Sequence, residues 1–474
     1  MLQPRHDNFK GAEAPAANVP LADESRFARL GFNARSISFF LIAILCAASV
    51  WFYADQILVA RQVKDAAAYD RPRGNLSDLY PRWVGARELL LNHRNPYFDD
   101  VTVEIQKGYY GRAIDPARPN DPKDREGFAY PLYVVFLLAP LMWWPFHDVQ
   151  LFFYWLLVSA TAGSAWLWLR TLRWSLSWLA ILATIGLVLG NLPAVQGIKI
   201  QQLSLLVAGL IALAVASISK GHLFAGGVLM ALTTIKPQLA WEPVAVLLLW
   251  AISDWRKRKG FAIGFAATMA LLLIGAEIVL PGWWRFFAEA VRQYHQYTGN
   301  QSVVEVTLSE VFGAERKDNL AHLSALLLSM AVVIACGVVL WRFRKVKAEG
   351  SNFGHAMALV LALTVVVVPM YAPYNQVLLL PAIFVLLKER KEFVSRMRWR
   401  RLGFGIGVVV VVWQWVASVG LVFVYYLISR DRALQGWTWP LFGTFAFPLW
   451  IFGLIFIHVR TKRPTYFQLD PGAS

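Results

Sequence analysis

Ser77-Asp78-Leu79-Tyr80-Pro81-Arg82-Trp83-Val84-Gly85-Ala86-Arg87-Glu88-Leu89-Leu90, followed by Asn95-Pro96-Tyr97, lies in a long polar loop between two strongly apolar segments. Leu79, Trp83, Ala86 and Leu90 recur at helical spacing, which predicts a short amphipathic helix lying on a membrane surface. Asp78 stands at the N-terminal end of that helix, where an aspartate can cap it or do chemistry. Asn-Pro-Tyr breaks the chain afterwards.

Outward from this loop the chain is apolar. Its 474 residues are 57% hydrophobic and only 16% charged, with a mean hydropathy of +0.46. A soluble protein of that length would carry about a quarter of its residues as charges. Apolar runs of roughly 15 to 25 residues instead predict an all-α polytopic membrane protein. The net charge of +16 does not imply nucleic acid, because the basic residues gather in short loops between apolar runs, as the positive-inside bias requires. Cys46 and Cys336 lie inside apolar runs, so no disulfide framework is expected.

The first span is expected from about 36 to 59, after a cytoplasmic tail over 1–35. The polar stretch 61–127 follows as the first external loop. Between positions 61 and 126 it carries twelve Lys/Arg and eleven Asp/Glu, and a loop this long can translocate whatever its charge. Twelve further apolar segments are expected, near 130–146, 149–169, 175–190, 203–218, 222–236, 238–252, 260–280, 320–341, 355–370, 374–388, 403–428 and 439–458. The basic clusters at 256–259, 342–347, 388–401 and 460–463 belong on the cytoplasmic side. That leaves 281–319 as a second external loop, with 36–460 one transmembrane domain and 461–474 a cytoplasmic tail. Six full crossings between 130 and 252 would put the 256–259 cluster on the wrong side. One of those segments is therefore expected to be re-entrant, with the Lys236-Pro237 break a natural place, and the bundle to hold about 12–13 transmembrane or re-entrant helices.

Four stretches in order carry a family resemblance. They are Asp78-Leu79 with Asn95-Pro96-Tyr97; Phe128-Ala129-Tyr130-Pro131-Leu132 with Ala139-Pro140-Leu141; Gly226-Gly227 through Ile235-Lys236-Pro237-Gln238; and Pro369 through Tyr374-Asn375-Gln376. Together they resemble the GT-C superfamily of polyprenyl-phosphate-sugar-dependent glycosyltransferases, in particular glycosyltransferase family 87, the α-mannosyltransferase/arabinofuranosyltransferase-like group. The chain departs from that pattern where a Gly-Gln-x-Asn stretch stands as Gln201-Gln202-Leu203-Ser204, and where Leu132 replaces the second proline of a Pro-Pro pair.

The resemblance implies a GT-C-like bundle in the plasma (inner) membrane with its active site on the external, periplasmic face. It implies transfer of a mannose- or arabinofuranose-class sugar from a polyprenyl-phosphate donor to a hydroxyl of a glycan or glycolipid acceptor, inverting at the anomeric carbon. Asp78 would be the general base, since a sugar hydroxyl is a poor nucleophile until its proton is taken. Lys236, enclosed by apolar sequence, should face a cavity or a partner, and the donor phosphate is the expected partner, with Arg82 beside it. Tyr130, Gln202, Tyr374 and Asn375 are expected around the sugar or acceptor, although Gln202 would equally serve as helix–helix glue and the tyrosines as interfacial belt. The loop 281–319, with Trp283, Trp284, His295, Glu305 and Glu310, is the expected acceptor surface. The histidines are scattered without metal-ligand spacing and no phosphate-binding loop appears, so neither metal nor cofactor is expected. The competing reading is a transporter or flippase of a lipid-linked sugar.

Overall fold

The computed structural model describes residues 34–68, 77–298, 301–312, 319–369, 372–444 and 446–462. The expected tails over 1–35 and 461–474 lie almost wholly outside the described residues. Among the described residues there is helix and no strand, as the composition requires: α1 (Ala34–Ala68), α2 (Tyr80–Asn92), α3 (Asp99–Tyr110), α4 (Val134–Leu138), α5 (Phe146–Thr171), α6 (Trp178–Leu189), α7 (Leu192–Lys199), α8 (Leu203–Ser219), α9 (Leu223–Leu232), α10 (Pro237–Ile252), α11 (Trp255–Val279), α12 (Trp283–Thr298), α13 (Val303–Phe312), α14 (Asn319–Trp341), α15 (Ser351–Val367), α16 (Leu380–Lys388), α17 (Arg390–Ser395), α18 (Arg398–Phe423), α19 (Arg430–Gln435) and α20 (Ala446–Arg460).

Among the described residues, six helical stretches are long and apolar enough to cross a membrane; α6 and α7 add a seventh if that pair, bent by 60°, counts as one span. Five shorter apolar helices complete the set. Large apolar side chains stand exposed on the outside of the bundle, among them Leu41, Leu271, Ile278, Leu327 and Val409. A water-soluble protein would not present such a surface, whereas lipid accepts it. The protein is a multi-pass, all-α membrane protein.

One expected segment does not cross. Over 130–146 the structure forms only the five-residue α4 and a 3₁₀ turn, Ala139–Leu141. Pro131, Pro140 and Pro145 remove backbone donors too often for a long helix to persist. The remaining bends are local. At Lys236 the backbone leaves helix (φ −128°, ψ 76°) because Pro237 starts α10, and a residue before proline avoids helical geometry.

Helix α2 forms where the spacing predicts it, but both of its faces are covered. Pro81 through Ala86, Glu88 and Leu89 are all buried against α3, α4 and the 3₁₀ turn. The close approach depends on Gly85, where a Cβ would fall on the Phe128 ring. Gly227 plays the same part deeper in the bundle: a Cβ there would fall on the backbone of Phe261, so α9 and α11 touch main chain to main chain. Helix α15 is buried on every face from Phe353 to Val366, as a predominantly apolar helix in a bundle core should be; His355 and Thr364 are its buried polar exceptions. It leads at its C-terminal end into Pro369 and the 3₁₀ helix Pro373–Leu379, which carries Tyr374 and Asn375.

Candidate active site

A cavity of about 500 Å³ opens where α2, α7, α10, α12 and the 3₁₀ helix after α15 meet. Its wall includes Asp78, Arg82, Tyr130, Gln202, Lys236, Tyr374 and Asn375, the seven residues singled out from sequence. They come from five separate parts of the chain.

Local structure explains how each arrives. Asp78 precedes α2 and its backbone N–H donates to the Ile200 carbonyl at 3.0 Å. The helix has no side-chain cap, so Asp78 is not spent finishing it. Its Oδ2 instead accepts from the Gln202 amide. Gln202 reaches that position because Gln201 adopts a left-handed conformation (φ +47°) at the end of α7, and the Gln202 N–H donates back to Gly197 at 2.8 Å. The Gln201 side chain holds the turn by donating to the carbonyls of Ile198 (2.8 Å) and Lys199 (3.0 Å).

Lys236 is 5% exposed and donates to Gln202 Oε1 and to Ser204 Oγ, both at 2.6 Å. Its ammonium also lies 4.9 Å from the centre of the Tyr374 ring. Ser204 passes the chain on, donating to Asn375 Oδ1 at 2.8 Å. Because lysine can only donate, it fixes the Gln202 oxygen toward itself and the amide nitrogen toward Asp78. One continuous network therefore runs Asp78–Gln202–Lys236–Ser204–Asn375. Gln202 serves here as a bridge between two charged groups, a tighter role than sugar contact or helix glue alone.

Arg82, one turn into α2, donates to the Asp78 carbonyl and stacks 4.3 Å over the Tyr130 ring. Its Nε is buried with no partner among the described residues, an arrangement that suits an anion still to come. Tyr130 is held in turn by Tyr97, whose hydroxyl donates to the Tyr130 carbonyl at 2.7 Å; Asn95 Oδ1 accepts the Tyr97 N–H at 3.0 Å. The Asn-Pro-Tyr break is thus a fixed turn that positions the cavity wall.

The other side of the cavity is apolar. Trp241 on α10 and Phe287 and Val291 on α12 line it, with Tyr294 and His295 one turn on. So α12, in the loop expected to meet the acceptor, does form part of the wall. Glu305 lies on α13, away from the lining, and the Glu310 side chain lies outside the described residues. Trp143, Trp144 and Trp284 are exposed, whereas Trp283 is buried edge-on to Tyr133, with ring centres 5.9 Å apart.

Sequence reasoning missed three groups. Ser204 stood in plain view in an apolar run, where a lone hydroxyl needs a partner. Tyr294 needed the α12 periodicity. Asp124 and Glu126 sit in a non-helical loop with no local signal. Burial, reinforced by the negative charges of Asp124 and Asp78, pushes Glu126 up to about 8. Burial likewise raises Asp124, again with Asp78 contributing. The loop is pinned by Gln106, whose amide donates to the Arg125 carbonyl at 3.0 Å. Asp99 and Asp100, in contrast, are surface ion-pair partners of Arg125 (2.6 Å) and Arg94 (3.0 Å).

The sequence model of glycosyltransferase family 87 matches residues 128–369, just over half of the chain. Tyr130, Gln202 and Lys236 fall inside that stretch; Asp78, Arg82, Tyr374 and Asn375 fall outside it. No curated protein and no solved structure matches.

Proposed function

The chain belongs to glycosyltransferase family 87, and on that premise we propose that it moves one monosaccharide from a polyprenyl-phosphate donor to a hydroxyl of a glycan or glycolipid acceptor. In this reading Asp78 takes the proton of the acceptor hydroxyl as its oxygen attacks the anomeric carbon. The bond from that carbon to the phosphate oxygen breaks, and the polyprenyl phosphate leaves with the electron pair. Attack from the face opposite the leaving group inverts the centre. Lys236 already holds Gln202 and Ser204 and bonds the Tyr130 side chain, so the departing phosphate takes the place of one of these partners at its ammonium. Arg82 offers a second cationic donor one helical turn from the base. Tyr130, Tyr374 and Asn375 supply ring faces and an amide to the sugar, and the apolar wall of Trp241, Phe287 and Val291 gives the prenyl chain a way back to lipid.

The observation that carries this reading is the joining of Asp78 to Lys236 through the single amide of Gln202. A base and a phosphate-binding cation must stand on either side of one anomeric carbon, and this network sets them one side chain apart.

The same reading puts the cavity on the external face of the plasma (inner) membrane. Because α4 is too short to cross, α5, the bent α6–α7 pair, α8, α9 and α10 remain as five segments between 146 and 252. Five traverses from an external 61–127 loop bring the 256–259 cluster to the cytoplasmic side, as its charge requires. Asp78, Gln202, Lys236 and Tyr374 then all lie at external helix ends. The deciding experiment offers polyprenyl-phosphate mannose and polyprenyl-phosphate arabinofuranose separately to the protein in vesicles. Transfer from one of them, with release of polyprenyl phosphate, supports the proposal. Transfer only from a nucleotide sugar overturns it.

A further inference from the structure

A second polar cluster lies at the other end of α15, outside the cavity. Glu389, just after α16, receives His355 from α15 and His458 from α20. His355 Nε2 lies 2.9 Å from Glu389 Oε1, and His458 Nε2 lies 2.8 Å from Glu389 Oε2. The ligand-type atoms of the three residues are all within 4.8 Å of one another. Both imidazoles are almost closed off, their side chains 4% and 2% exposed, with ring centres 5.8 Å apart. His355 Nδ1 is buried and has no partner among the described residues. About 18 Å of helix, at 1.5 Å per residue, separates His355 from the cavity end of α15.

We propose that His355, Glu389 and His458 form a binding site for one zinc-class transition-metal ion that ties together α15, α16 and α20. The donor set is the argument. Two imidazole nitrogens and a carboxylate suit zinc and its neighbours, with a fourth position for water, whereas magnesium and calcium want oxygen donors throughout. Bond lengths near 2.0–2.1 Å put the ligand atoms of a tetrahedral zinc about 3.3 Å apart. The present spacings of 2.8 and 2.9 Å therefore need to open by roughly half an ångström, which rotation of the side chains supplies.

Lys462 is the resident cation. Its Nζ is 2.7 Å from Glu389 Oε2 and 2.7 Å from Glu392 Oε2, so it can release the first carboxylate and keep the second when a metal enters. Each neutral imidazole then carries its proton on Nδ1 and turns its Nε2 lone pair to the ion. The histidines are about a hundred residues apart in sequence, which is why no ligand spacing is visible there.

The test uses full-length protein in nanodiscs, stripped with a chelator and then titrated with Zn²⁺ or Mg²⁺. Bound metal is read by elemental analysis and stability by thermal unfolding. The proposal expects one zinc per chain and a rise in Tm with zinc but not magnesium. Both should weaken at least about tenfold in His458→Gln and in His355→Gln/His458→Gln, while Lys462→Met should bind zinc more tightly. Wild-type protein that takes up no zinc overturns the proposal, and so does equal uptake by the double variant. Because the wild type alone can sink the idea, a variant that fails to fold does not rescue it. None of these readouts depends on glycosyl transfer.

Discussion

The two ends of α15 carry two charged clusters of different build, the proposed reaction site and the proposed metal site. At one end, Asp78, Gln202, Lys236, Ser204 and Asn375 form a chain of contacts beside about 500 Å³ of space, with Arg82 Nε unpartnered among the described residues. At the other, two imidazoles and a lysine converge on the one carboxylate of Glu389. Both are charged clusters in a low-dielectric setting, and burying charge is costly unless it is paired. The first spreads its charges around an empty volume, so a substrate can complete it. The second gathers its groups on one carboxylate and draws α15, α16 and α20 together.

The comparison breaks most sharply at Asp78. Asp78→Asn keeps the contact to Gln202 but cannot accept a proton. Transfer should fall by about 10²–10⁴-fold while donor lipid still binds. A flippase would go on moving its cargo in that variant. Next in size is Lys236→Met, which removes the cation proposed to face the leaving phosphate; transfer should fall by about 10²–10³-fold, read as a loss in kcat. A control outside both clusters is Gly227→Leu, which sets a side chain on the Phe261 backbone. It should lower stability by about 1–3 kcal/mol in thermal unfolding without changing the donor preference of the folded fraction.

The smallest effect concerns the loop beside the cavity. Glu126 is raised from its ordinary 4.5 to about 8, so the folded loop favours the protonated acid. That contribution is fully present below pH 4.5 and is lost as pH rises through about 8. Hydrogen exchange over 111–127 should quicken a few-fold across that window, beyond its intrinsic pH dependence, and Glu126→Gln should remove the excess.

Much of the cavity was legible because its residues are anomalies in their surroundings. Lys236 stands in an apolar run, Asp78 sits at the start of an amphipathic helix, and Tyr374-Asn375 follows the largely apolar stretch 355–370. The bridging role of Gln202 was not legible, because it depends on the left-handed turn at Gln201. The related pattern has glycine there, a residue that takes φ > 0 without strain; here Gln201 takes it and its side chain bonds the adjacent carbonyls. Ser204, in the place of the pattern's asparagine, joins Lys236 to Asn375. The 130–146 stretch misled because hydropathy does not register three prolines. The His–Glu–His cluster was invisible because contact between α15 and α20 is a property of packing, not of spacing.

The most direct test of the central claim, that Asp78 and Lys236 address the two sides of one lipid-linked sugar, is a cryo-EM structure with a non-transferable polyprenyl phosphonate sugar. The account predicts the phosphonate at Lys236 and Arg82, with the anomeric carbon facing the Asp78 carboxylate across the Gln202 bridge. A phosphonate bound elsewhere, with Asp78 and Lys236 still joined only to each other through Gln202, would contradict it.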